Sequence, residues 1–132
     1  MKKLIPLLFL ALPAFAQGPF PTPACKTVTV YPTMYYGWEN YGQGWQPLTV
    51  SKDCLGYVHI TGGLKNGTTS FAFNLPPGFE PGYNLIFPAW SGGEYERSFA
   101  SVHVSSGGHV DLSGYNGNLF FSVSGISFKA AE

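Results

Sequence analysis

One set of residues in this 132-residue sequence has the types needed for nucleophilic chemistry. Ser101, His103 and Asp111 are what a hydrolase uses to activate a hydroxyl, and pairing Arg97–Ser105 against His109–Ser113 sets His103 opposite Asp111 and Ser101 opposite Ser113. A triad also needs an exposed nucleophile, an oxyanion hole and a pocket that excludes water, none of which a flat strand face supplies. The set reads as a polar stripe, and no catalytic residue is assigned. His103, His109 and Asp111 offer nitrogen and oxygen donors suited to a metal ion. No HxH or HExxH spacing accompanies them, so no metal ligand is assigned. The carboxylates of Glu39, Asp53, Glu80, Glu94, Glu96 and Asp111 form no glycosidase-like pair. P-loop, GxSxG and dinucleotide-binding glycine patterns are absent, and no cofactor is expected.

Recognition has more to work with. Tyr35, Tyr36, Trp38, Tyr41 and Trp45 crowd into one stretch with Gly37, Gly42 and Gly44, and Trp90 opens a later polar loop. Flat amphipathic rings give contact area at low entropic cost, so one reading is a stacking surface for sugar rings or a partner protein. Asn40, Gln43 and Glu94 would add hydrogen bonds. The other reading is that the rings cap one end of a small β-sandwich, because aromatics in Gly-rich loops are often structural. The residue types leave both open.

The elements that must hold these rings follow from composition. Met1 to Ala16 reads as a secretory signal: Lys2 and Lys3, an apolar run from Leu4 to Leu12, then Ala14-Phe15-Ala16 as the cleavage site. With it removed, the seven basic side chains fall to five against seven acidic ones, in no cluster of either sign. That disfavours an electrostatic nucleic-acid binder. No later apolar run is long enough to span a bilayer, so a secreted soluble protein is expected. Residues 17–24 carry three alternating prolines, Pro19, Pro21 and Pro23, and predict an extended arm for linking or docking. Residues 25–132 form one domain. Cys25 and Cys54, the two cysteines of the chain, predict one disulfide in an oxidising compartment. It would close a loop of about thirty residues and contribute on the order of 3 kcal/mol.

Gly, Pro, Ser, Thr and aromatics dominate while helix formers are scarce, which predicts an all-β fold. Lys26–Tyr31 is a short β-branched strand stopped by Pro32. Leu55–Thr61 and Thr68–Leu75 alternate around Asn66-Gly67, predicting a hairpin with Ile60 opposite Phe73 and Val58, Ile60, Phe71, Phe73 and Leu75 on the core face. Asn66-Gly67-Thr68 is read as this turn, although it matches a glycosylation sequon. A proline-rich corner, Leu75–Gly82, leads into a strand from Tyr83 to Ala89. Aligning Val104 with Val110 and Val102 with Leu112 requires a three-residue turn, Ser106-Gly107-Gly108. A last strand, Leu119–Phe128, keeps Phe121, Val123, Ile126 and Phe128 on the core face if Gly125 is a bulge. Roughly seven or eight such strands predict a single antiparallel, jelly-roll-like β-sandwich.

In this order the residues resemble the C-terminal head domain of bacteriophage tail fibres and related baseplate receptor-binding proteins. The matching residues are Gly56, Val58, Ile60 and Gly62; Leu75, Pro76, Gly78, Phe79 and Pro81; Phe87 and Pro88; Val102, Val104, Gly108 and Val110; and Ser122, Val123, Gly125, Ile126, Ser127 and Phe128. The resemblance covers roughly 70 residues, through mainly structural motifs, so it carries fold further than ligand. It implies a trimeric, non-catalytic β-sandwich that binds cell-surface glycan or protein. An exported form would act as an adhesin, a lectin-like module or, alternatively, a structural subunit of an extracellular fibre, pilus-like filament or surface assembly.

Overall fold

A computed structural model describes residues 25–93 and 95–132. The expected signal at 1–16, the arm at 17–24 and Glu94 lie outside the described residues. Among these there is no helix, and two antiparallel sheets make a sandwich. The four-stranded sheet runs in the order β1 (Val28–Val30), β3 (Thr49–Lys52), β4 (Tyr57–Thr61), β11 (Ile126–Lys129). The seven-stranded sheet runs β2 (Glu39–Asn40), β5 (Gly63–Lys65), β10 (Phe121–Ser122), β7 (Leu85–Gly92), β8 (Arg97–Val104), β9 (His109–Gly114), β6 (Phe71–Asn74). Alternation along each strand sends one set of side chains between the sheets: Val50, Val58, Ile60, Ile126 and Phe128 from one, and Leu64, Phe73, Val102, Val104, Val110 and Phe121 from the other.

The predicted β8–β9 register holds, with Val104 opposite Val110, Val102 opposite Leu112 and His103 opposite Asp111. Gly108, at φ +89°, takes the left-handed position that a three-residue hairpin turn requires. The disulfide joins Cys25, just before β1, to Cys54, just after β3, and so ties off the end of that strand pair.

Other expectations are corrected. There are more and shorter strands, because two segments expected to be continuous change sheet. Tyr57–Thr61 belongs to one sheet and Gly63–Lys65 to the other, with Gly62 at φ +151° as the corner. A Cβ at Gly62 would lie 2.8 Å from Leu48 Cα, so only glycine turns this corner without displacing the backbone that leads into β3. The terminal strand breaks likewise between β10 and β11; Gly125, at φ +84°, belongs to this crossover and is not a bulge. The two crossovers are joined: the Val123 amide donates to Gly62 O at 2.9 Å, and the Gly62 amide to Ser124 Oγ at 3.2 Å.

The hairpin at Asn66-Gly67 does not form, since β4 pairs with β3 and β11, and β6 pairs with β9. Asn66 does adopt a left-handed φ of 66°, but its amide donates to Asn118 O at 2.7 Å, and Gly67 is glycine because the Trp38 indole lies against it. Phe71 leaves the expected core face, because a register shift between Phe71 and Phe73 turns it outward. Trp90 lies within β7, opposite Phe99 of β8, and not in a loop.

Candidate functional site

The predicted site aromatics separate into three environments. Trp38 is only 7% exposed. It meets Phe121 edge-on at 6.1 Å, and its Nε1 donates to Thr69 O at 2.9 Å. A ring this buried, with its N–H satisfied by the backbone, packs as part of the core, which counts against Trp38 as a stacking residue of the recognition surface. Tyr35 and Tyr36 lie at the β6 edge. Tyr35 stacks on Phe71 at 5.5 Å, and Phe71 stacks on His109 at 3.9 Å, forming a three-ring column in which half-buried Phe71 lies between two exposed rings.

Tyr41, Trp45 and Trp90 do come together, around two residues not predicted for the site, Phe120 and Arg97. Phe120 is buried beneath Tyr41, at 5.2 Å edge-on, and Trp45, at 4.8 Å. Gly63 permits this packing, because its missing Cβ would lie 3.2 Å from Trp45 Cβ and 3.3 Å from Phe120 Cε2. The Arg97 guanidinium sits 5.3 Å from the Trp45 ring centre and 5.1 Å from that of Phe120, in cation–π geometry with both. Trp90 stacks on Phe99 at 4.7 Å.

Between these side chains runs a surface groove. One part, of about 490 Å³, is walled by Tyr41, Trp45, Arg97 and Phe120. The adjoining part, of about 250 Å³, adds Trp90 and Ser122 and shares Trp45, Arg97 and Phe120. That is the size range of small-ligand clefts, and mixed aromatic and polar walls suit a ligand with both a flat apolar face and polar substituents.

The Ser101, His103, Asp111 stripe is not a hydrogen-bonded triad: Asp111 accepts instead from Ser70 Oγ, at 3.4 Å. Among the described residues no cluster of His, Cys, Asp and Glu is placed to hold a metal ion. The connected Ser, His and Asp lie on the other sheet. His59 Nδ1 is 2.7 Å from Ser127 Oγ, and Nε2 is 3.2 Å from Asp53 Oδ2. Asp53 Oδ1 also accepts the backbone amides of Leu55 and Tyr57, each at 3.0 Å. The Tyr57 amide, then the His59 side chain, hold the Asp53 carboxyl below its ordinary pKa. His59 and Ser127 face each other across β4 and β11, a pairing hidden while β4 is matched with β6.

No family model matches the chain, and no curated protein does. Among solved structures, the chain is similar to the receptor binding protein gp15 of Listeria phage PSA, with a TM-score of 0.69 at 20% identity, over 82% of this chain and 67% of that one. The likeness establishes that the two proteins share a fold. The sandwich expected from the tail-fibre resemblance is therefore the architecture observed.

Proposed function

We propose that the protein is a secreted, non-enzymatic recognition module that holds a cell-surface glycan in the groove between Trp45, Trp90 and Arg97. The observation that carries this reading is the groove itself, where partly exposed Trp45 and Trp90 rings flank a cation at the surface of the seven-stranded sheet. The fold shared with a phage receptor binding protein supports a binding role in general. Ile86 and Phe99, 66% and 79% exposed on the outer face of the seven-stranded sheet, support self-association of the module.

The test is a glycan array probed with the oxidised protein, followed by titration of the hits. Trp45→Ala weakens binding at least about tenfold, the loss of one stacked ring and its desolvated surroundings, with circular dichroism unchanged. Undiminished binding by the folded variant overturns the site. Light scattering of the same sample reads the oligomer, and a monomer at all concentrations overturns self-association.

A further inference from the structure

The described walls of the groove have a sign as well as a shape. Arg97 is the one charged side chain among the described residues that wall it; the polar ones are Gln43, Ser122 and the Tyr41 hydroxyl. Another cation, Lys65, lies 5.6 Å from the Tyr41 ring centre and is balanced by Glu39 at 3.7 Å. No described residue lies within hydrogen-bonding or ion-pair distance of the Arg97 guanidinium, although it is held over two rings. A stacked guanidinium keeps its N–H donors in plane and outside the ring contact, and the stacking restrains a side chain that would otherwise lose much entropy on binding.

Neutral sugars present hydroxyls that donate as well as accept, and sites for them are rich in carboxylate acceptors. This groove has no carboxylate among its described walls, and its strongest hydrogen-bonding group is a forked, charged donor that fits a planar carboxylate or a phosphate through two parallel bonds. We propose that the groove selects acidic saccharides, with a sugar ring on Trp45 and its carboxylate or phosphate on the guanidinium edge of Arg97. This rests on the glycan-binding reading above and adds to it the charge of the ligand and the residue that reads it.

The experiment compares matched pairs on the array and in titration: oligogalacturonates against their methyl esters for the carboxylate, and phosphorylated polysaccharides against their dephosphorylated forms for the phosphate. The acidic member binds about tenfold or more tightly than its neutral twin, as expected of one charge-assisted bidentate contact. Arg97→Gln, which keeps a polar side chain at the same position, brings the two members of a pair to within about threefold, and raised salt narrows the gap in the parent protein. Equal binding of both members, or a preference that survives Arg97→Gln, overturns acidic selectivity while leaving glycan binding intact. Absence of any glycan hit overturns the glycan reading and this inference with it. Whichever pair shows the larger gap identifies the anion.

Discussion

Two exposed clusters, one on each sheet, use their polar groups in opposite ways. On the four-stranded sheet, Asp53, His59 and Ser127 bond to one another and to the backbone of the turn after β3. Lys129 beside them donates to Leu55 O at 2.7 Å. On the seven-stranded sheet, Arg97, Trp45 and Trp90 meet mainly rings. The first cluster contains the residue types of a hydrolase and spends them on holding a turn together. The second, among the described residues, contains no catalytic types and leaves a charged donor and flat ring faces available. Residue type alone would rank the two the other way round; what distinguishes them is whether bonding capacity is consumed within the fold.

The largest effect that tests this contrast compares two tryptophans. Trp38→Ala removes a buried ring and leaves a cavity against Phe121, costing about 3–5 kcal/mol in urea unfolding. Trp45, 41% exposed, costs about 1 kcal/mol when replaced by Ala and mainly lowers glycan affinity. Equal costs for the two would make the Trp45 cluster an extension of the core, and the contrast between open and closed clusters would fail.

The disulfide gives the next largest effect, localised to the closed side. Cys25→Ser with Cys54→Ser releases the β1–β3 end and lowers stability by on the order of 3 kcal/mol, read as a lower urea midpoint with the fold retained at low denaturant. The groove is lined from β7, β8, β10, the segment just before β10 and the loop carrying Tyr41 and Trp45, so glycan affinity should be unchanged under native conditions. A parallel loss of affinity would show that the two clusters are coupled through the core.

How far each cluster was legible in the sequence depends on how local its determinants are. The β8–β9 register could be read because alternating valines and the Gly108 turn fall within one hairpin. The disulfide followed from there being two cysteines. The His59–Ser127 contact spans 68 residues and depends on which strand lies beside β4. Asn66-Gly67 gave a strong local signal for the wrong neighbour, since its left-handed Asn and its Gly serve a loop that carries the chain from β5 to β6 at the far edge of the same sheet, and the packing of Trp38. Arg97 and Phe120 were missed for the same reason: they meet Trp45 only because β10 lies between β5 and β7. Trp38 and Trp45 are both flanked by glycine, tyrosine or polar residues, so nothing local separates core from surface.

The smallest effect is the acid response of the closed cluster. The Tyr57 amide and the His59 side chain favour the Asp53 carboxylate, so its pKa is lower folded than unfolded. Between those two values the unfolded chain binds more protons, and stability rises with pH across that window. The stabilisation is complete above the unfolded carboxylate pKa of about 3.9 and is lost as pH falls through the lower folded value. Asp53→Asn removes the titration. Its stability deficit against the parent protein should be present at about pH 5 and should shrink below about pH 4, as followed by urea unfolding at each pH. A deficit independent of pH down to strong acid would mean that Asp53 acts through turn shape and not through its charge. Glycan affinity at neutral pH should be the same in both proteins, because the bonds of Asp53 all end within its own turn and on His59.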